Sequence, residues 1–194
     1  MNFRKFVIGC GFFALSSTAF AHPGHATGFW DAFMHPILGW DHLLAMFIVG
    51  MLAVRYSGWR ALILPSLFVG ALMVASASVT ALHIHLGEAV EILVLLSVVL
   101  LGVLLAFRRD LGLAAMGFLV VCAGAVHGAV HGSELGVTGA AALCGLALAT
   151  CFLHTFGYLL ARTSHNHAIW LSRGVGLIAS AVGITALIAK VALN

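Results

Sequence analysis

The sequence predicts an all-α protein that crosses a membrane as a polytopic bundle of about six transmembrane helices after a cleaved signal peptide. Its 194 residues are 62% hydrophobic and only 8% charged, whereas an ordinary soluble domain is about 25% charged. A chain of this length cannot hide so much apolar surface from water. Its apolar segments also have roughly the 20 residues that a helix needs to cross a bilayer. We therefore predict a signal peptide over residues 1–21 and one transmembrane domain over residues 22–194.

The amino-terminal segment has the three parts of a secretory signal. Arg4 and Lys5 supply positive charge, residues 6–15 form a short apolar run, and an A-F-A string at 19–21 matches a small-residue cleavage site. A retained first transmembrane helix is one alternative, although the apolar run is too short to span comfortably. A lipoprotein site at Cys10 is another, and it would leave almost no apolar core before the cysteine.

Six apolar segments follow the signal, and the connections between them are short. Short connections favour antiparallel neighbours in a compact bundle. Within the fourth segment, glycines recur at every fourth position, a pattern that lets two helices approach closely in lipid; these are Gly124, Gly128 and Gly132. The predicted spans are 36–54, 61–80, 89–107, 111–130, 137–161 and 169–191.

The arginines predict the orientation of the bundle, because positively charged connections stay on the cytoplasmic side. With the mature amino terminus outside, only Lys190 among the basic residues near the spans falls on the outer side. The sequence therefore predicts a multi-pass protein of the bacterial cytoplasmic (inner) membrane with a periplasmic amino terminus. The residues expected inside are Arg55, Arg60, Arg108, Arg109, Arg162 and Arg173.

The first motif with chemical content is HPILGWDH at residues 35–42. Pro36 suits the first position of a helix, and we predict that this helix enters the membrane there from outside. His35 and His42, seven residues apart, would share one face of it. Asp41 would lie about 8 Å below the helix start and would orient an imidazole on a neighbouring helix or ligate directly. A carboxylate at that depth is costly unless paired or coordinated, so the motif predicts a metal site or a structural Asp–His hydrogen bond.

The second motif is HGAVHGSE at residues 127–134. Residues four apart are neighbours on a helix, so His127 and His131 have the spacing to grip one metal ion. Glu134 lies three residues further on, at the predicted outer rim. This helix is expected to run from inside to outside, which puts its histidines at the depth of the first motif. We predict one shared site, the alternative being two hydrogen-bonded core histidines.

Further acidic and histidine residues gather near the predicted outer surface. Glu91 lies within about one turn of the start of the third span, and we place it near the entrance of the site. His83, His85 and Glu88 shortly precede it. For these three residues a solvated loop is as good an interpretation as a ligand role.

The fifth span carries His154, nearer the cytoplasmic side than the two motifs. It is predicted either as an exit station for a metal ion or as a hydrogen-bonded core histidine. Cys151 lies one turn earlier, and Cys122 and Cys144 also lie within apolar segments. We expect no disulfide framework and interpret the cysteines as small buried hydrophobic residues.

Together, HPILGWDH after a signal and HGAVHGSE in the fourth span resemble the HupE/UreJ family of nickel and cobalt permeases. The resemblance covers essentially the whole mature chain, without departures at the motif positions. It implies a metal importer rather than an enzyme, often linked to the supply of hydrogenase or urease.

The donor set also indicates the class of metal. Imidazole with carboxylate suits intermediate divalent ions such as nickel, whereas thiolate-rich sites favour copper(I) and all-oxygen sites favour magnesium or calcium. We expect Ni²⁺ or Co²⁺ as the transported substrate and no prosthetic group. The sequence lacks a GxxxxGK[ST] nucleotide loop. The predicted intramembrane ligands are Asp41, His42, His127 and His131, with His35, Glu91 and Glu134 near the entrance.

Other classes stay open at this point. A haem-binding or di-iron membrane redox protein would also use buried histidines, and a metal-binding accessory or sensor subunit would bind metal without transporting it. HExxH is absent, which argues against an intramembrane metalloprotease. Besides the metal ion, the expected partner is the lipid bilayer, and a homo-oligomer is compatible with the sequence. The net charge of +3, without a basic stripe, predicts no binding of nucleic acid.

Overall fold

The computed structural model describes residues 28–107, 111–134, 139–164 and 168–193, and its regular structure over this part is entirely helical. The predicted all-α class is thereby confirmed. The predicted signal peptide, together with Arg108 and Arg109, lies outside the described residues. The elements are α1 (Phe29–Leu38), α2 (Trp40–Ala53), a short 3-10 helix (Gly58–Leu62), α3 (Ile63–Ala81), α4 (Ala89–Ala106), α5 (Gly112–Glu134), α6 (Ala140–Thr163) and α7 (Ala168–Leu193).

Among the described residues, five continuous helices are long and apolar enough to span a membrane, and one broken pair meets the same criteria together. The pair is α1 with α2, bent by 82°. Counting the pair as one span gives the six that the sequence predicts. The continuous spans are Gly58–Ala81, Ala89–Ala106, Gly112–Ser133, Ala140–Thr163 and Ile169–Ala192.

The break in the first span corrects the prediction of one helix that begins at Pro36. Pro36 instead lies inside α1, and the chain restarts as a helix at Trp40 after the extended residue Gly39 (φ −77°, ψ 109°). Proline has no N–H to donate to the preceding turn and its ring crowds the carbonyl there, so helices bend or end near it. His35 and His42 therefore belong to two helices and do not share a face of one.

The predicted glycine stripe is confirmed as a packing seam between α3 and α5. A methyl group on Gly124 would lie 2.6 Å from the carbonyl oxygen of Phe68, and one on Gly128 would lie 2.1 Å from that of Leu72. No real side chain tolerates such distances, so only glycine allows these two backbones to meet. This contact fixes the depth and rotation of α5, the helix that carries His127 and His131.

Comparable close contacts join α6 to the broken span. A methyl group on Gly50 of α2 would lie 2.0 Å from the carbonyl oxygen of His154, and one on Gly157 would lie 2.1 Å from that of Phe47. Gly145 of α6 meets the backbone of α1 at Phe29 in the same way, at 2.3 Å. α6 therefore holds both halves of the broken span, while α4 packs mainly on α7.

The two ends of the bundle carry different charged groups: an arginine at one end and a lysine–glutamate pair at the other. Arg55, just after α2, donates a 2.8 Å hydrogen bond to the carbonyl oxygen of Leu104 near the end of α4. Lys190, near the end of α7, forms an ion pair with Glu91 at the start of α4. Arg55 and Lys190 thus lie at opposite ends of α4, which agrees with the arrangement that the positive-inside rule predicts.

The cysteines depart from the sequence-based expectation in one respect. Cys122, Cys144 and Cys151 are free, as expected, but all three are exposed on the bundle rather than buried. An apolar segment in a membrane helix faces lipid as readily as it faces the core, so hydropathy alone does not distinguish the two positions.

Candidate metal centre

Three imidazoles from three helices meet inside the bundle. They belong to His35 near the end of α1, His42 at the start of α2 and His131 near the end of α5, and we call them the histidine triad. One ligand nitrogen from each lies within 4.8 Å of the other two. Bonds of about 2.1 Å from one ion to each nitrogen would place such nitrogens at most about 4.2 Å apart. Separations within 4.8 Å are therefore close to those that a single ion requires.

His42 is the central residue of the cluster and contacts three other histidines. Its ring centroid lies 4.5 Å from that of His131, 5.5 Å from that of His35 and 5.0 Å from that of His127. The side chain is buried, with 4% of the residue exposed. Each of the four histidines contacts at least one other in the cluster. Their buried ring nitrogens need hydrogen-bond partners or a bound ion, which apolar neighbours cannot supply.

Asp41 holds the ring of His42 from the side. Its Oδ1 lies 2.7 Å from Nδ1 of His42 and also accepts the backbone N–H of that residue at 2.9 Å. An ionised carboxylate only accepts hydrogen bonds, so His42 donates through Nδ1 and presents Nε2 for coordination. A carboxylate that fixes the tautomer of a metal-binding histidine is a recurrent arrangement. Asp41 therefore orients the histidine next to it, not one on a neighbouring helix.

The two histidines of α5 are fully buried and only partly hydrogen-bonded. His127 donates from Nδ1 to the carbonyl oxygen of Ala123 at 2.9 Å, which leaves Nε2 without a protein partner among the described residues. Neither ring nitrogen of His131 has such a partner. A buried polar atom left unsatisfied costs about 1–3 kcal/mol, and three of them in one cluster indicate a site built for a ligand that accepts lone pairs.

The break in the first span places the ends of two helices beside the triad. The carboxyl end of α1 carries a partial negative charge that favours a cation, and the amino end of α2 carries a partial positive charge that opposes it. Asp41 places a full negative charge at the amino end of α2. In membrane transporters, the carboxyl ends of half-helices are a common means of holding cations.

The remaining predicted ligands lie away from the triad or outside the residues that the structure describes. Glu91 is paired with Lys190, and its side chain is 49% exposed. His83, His85 and Glu88 are exposed around the connection between α3 and α4. The side chain of Glu134 lies outside the described residues. An entrance role for Glu91 and Glu134 stays a prediction.

His154 lies apart from the triad and is buried on α6. The phenyl ring of Phe68 contacts both this histidine and His127, with centroid distances of 5.3 Å to His154 and 5.7 Å to His127. The sequence does not single out Phe68, and it predicts His35 at the entrance instead of within the ligand cluster. No sequence signal distinguishes Phe68 from other aromatic residues in apolar spans, whereas the P-x-x-G string at residues 36–39 could have suggested the break.

The described residues contain five continuous apolar spans and one broken pair, with a buried cluster of imidazoles at the break. They define a polytopic membrane protein with a histidine cluster inside the bundle. The chain belongs to the HupE / UreJ protein family, whose model matches residues 10–186, and the resemblance found in the two motifs is thereby confirmed. It is similar to Protein HupE from Rhizobium leguminosarum bv. viciae, with 35% identity over 164 residues, 83% of this chain and 85% of that protein. No solved structure matches.

Proposed function

We propose that the protein is an inner-membrane permease that imports a divalent transition metal, nickel or cobalt, through the histidine triad. The observation that carries the proposal is the meeting of His35, His42 and His131 from three helical segments, with ligand nitrogens within 4.8 Å of one another. Membership of the HupE/UreJ family, whose members are accessory proteins of hydrogenase or urease, supports it. In this proposal Asp41 orients His42, and His127 receives the ion one step deeper.

The chemistry of the donors supports a first-row divalent ion. Neutral imidazole nitrogens bind nickel, cobalt and zinc well, and the cluster offers no thiolate to favour copper(I). A transported ion must also leave, so its binding has to be moderate.

The membrane potential is sufficient as a driving force. Each elementary charge that moves inward gains about 2.3 kcal/mol per 100 mV, so a doubly charged ion gains about 4.6 kcal/mol. This corresponds to more than a thousandfold accumulation at equilibrium. The proposal therefore requires no nucleotide site on this chain.

The geometry favours transport over the redox alternative. A haem held by two histidines needs its macrocycle between their rings, whereas neighbouring rings in this cluster have centroids only 4.5–5.5 Å apart. A di-iron site of the helix-bundle type uses several carboxylates, and Asp41 is the one acidic side chain that contacts the cluster among the described residues.

The experiment is uptake of radiolabelled nickel and cobalt by bacterial cells that lack other importers of these metals. We compare the wild type with His42→Ala and His131→Ala, and use His85→Ala as the matched control because His85 is exposed and outside the cluster. The two triad variants are expected to reduce uptake to that of cells without the protein, while the control keeps wild-type uptake.

Three results would contradict the permease. Wild-type uptake in both triad variants, at equal amounts in the membrane, would exclude the triad as the pathway. Metal binding by the purified protein without uptake by wild-type cells would indicate an accessory or sensor subunit. A strong haem absorbance in the purified protein would indicate the redox class.

A further inference from the structure

A cavity of about 820 Å³, open at the surface of the bundle, lies in the half of the bundle away from the triad. Its walls come from the 3-10 helix, the first part of α3 and the second half of α6. A water molecule occupies about 30 Å³ in the liquid, so the cavity has room for an ion with several waters. Gly58 and Trp59, at the end of the bundle that also carries Arg55, line one side of it, and His154 lines another.

His154 is the buried titratable group in this wall. It is 3% exposed, and neither of its ring nitrogens has a hydrogen-bond partner in the described part of the protein. By the rise of an α-helix it lies about 21 Å from Ala140 at the outer end of α6. An imidazole with both nitrogens unsatisfied beside a cavity points to a ligand that occupies the cavity.

The ring of Phe68 separates this histidine from the outer cluster. Phe68 is fully buried, and its ring contacts the rings of both His127 and His154. A phenyl ring has no lone pair with which to bind a divalent ion. The row of imidazoles is thus interrupted by one ring that the ion must pass, and it resumes at the cavity.

We propose that His154 forms an inner binding station for the transported divalent cation, at the wall of this cavity and separated from the histidine triad by Phe68. The proposal rests on the permease function and extends it by a separate site of release. One imidazole with waters in the cavity binds a divalent ion more weakly than three imidazoles do. An ion that passes Phe68 therefore moves to a site from which it leaves easily, as conduction requires.

A lipid chain is the competing occupant, because most of the lining is apolar. Ser66 nevertheless adds a hydroxyl group to the lining, whereas the hydroxyl of Thr155 donates to the carbonyl oxygen of Cys151 and that of Tyr158 accepts from Arg162. A lipid chain would also leave the nitrogens of His154 unsatisfied. A divalent metal ion is therefore the occupant to test. If a lipid chain fills the cavity and keeps metal out, the proposal is overturned.

The first test is the number of Co²⁺ ions bound at equilibrium by the full-length protein in lipid nanodiscs, measured by dialysis and elemental analysis. We expect a tight and a weak site in the wild type. His154→Ala should lose the weak site alone, His42→Ala should lose the tight site alone, and His85→Ala should keep both. The proposal would be overturned if the weak site persists in His154→Ala. It would also be overturned if the wild type binds one Co²⁺ ion per protein, at the tight site alone.

The second test does not require His154→Ala to keep its full stability. Cys151 lines the same cavity, so a variant with Cys10, Cys122 and Cys144 replaced by alanine carries one reporter thiol. A membrane-impermeant thiol reagent should label Cys151 in inverted membrane vesicles and not in right-side-out ones. Added Ni²⁺ should slow this labelling. Equal rates with and without Ni²⁺, or labelling from the periplasmic side alone, would overturn the inner station.

The results separate the two proposals. If His42→Ala abolishes uptake while Ni²⁺ leaves Cys151 labelling unchanged, the permease stands and the inner station is wrong. If both triad variants keep wild-type uptake, the triad pathway itself is wrong, whatever the labelling shows.

Discussion

Replacement of Asp41 by asparagine tests how the triad is organised. Asparagine keeps the shape of the side chain and a carbonyl oxygen at the 2.7 Å contact with Nδ1 of His42, but it removes the negative charge. Hydrogen bonds to an ionised acceptor are roughly twice as strong as neutral ones, and loss of such an orienting partner typically lowers metal affinity about 10–100-fold. We therefore expect Asp41→Asn to weaken Ni²⁺ binding by about 1.4–2.8 kcal/mol.

The assay is Ni²⁺ affinity of the purified protein in nanodiscs, with Asp31→Asn as the matched control. Asp31 is an exposed acidic residue of α1, and its replacement should leave the affinity unchanged. An unchanged affinity in Asp41→Asn would refute the orienting role of Asp41. A complete loss of binding, equal to that in His42→Ala, would show that Asp41 is itself a ligand.

Three further predictions concern packing, the barrier and the entrance. Gly128→Ala puts a methyl group 2.1 Å from a carbonyl oxygen of α3 and should destabilise the protein by about 1–3 kcal/mol in thermal unfolding, whereas Gly70→Ala, with nothing within 4 Å, should not. Phe68→Leu should raise nickel uptake at least about twofold, a change of about 0.4 kcal/mol, without altering Co²⁺ affinity of the triad; unchanged or reduced uptake would contradict a barrier at this ring. Glu91→Gln breaks a partly exposed pair with Lys190 and should cost at most about 1 kcal/mol of stability. If Glu91 collects ions, half-saturation of uptake will need more nickel at an unchanged maximal rate, and identical uptake curves would exclude Glu91 from the pathway.

The number of spans and one helix seam follow from the sequence because both are local patterns. The length of an apolar segment sets whether it can span a bilayer. Glycine at every fourth residue on α5 puts bare backbone along one face, and α3 packs into it at Phe68 and Leu72. The pairing of His131 with His42 was likewise within reach, because depth along two opposed spans can be counted from the helix rise.

Which residues belong to the site is harder to predict from the sequence, because it depends on how the helices are arranged in three dimensions. The sequence predicts His35 at the entrance because Pro36 suits a helix start, whereas in the structure Pro36 lies inside α1. The separation of His154 from His127 depends on the rotation of α3 about its axis, which points Phe68 between them. No spacing rule connects residues 68, 127 and 154, which lie on three different spans.

The break at Gly39 accounts for how two residues of one short motif can serve one ion. On a straight helix, residues seven apart are about 10.5 Å apart along the axis, about two turns, whereas side chains meet most readily one turn apart. The 82° bend brings their ring centroids to 5.5 Å. A side chain at residue 39 would crowd the resulting pocket, because a methyl group there lies 3.3 Å from both Oδ1 of Asp41 and Nδ1 of His42. The residues of the motif thus have two roles. The proline and the glycine shape the bend, and the bend brings the two histidines together, with the aspartate bonded to one of them.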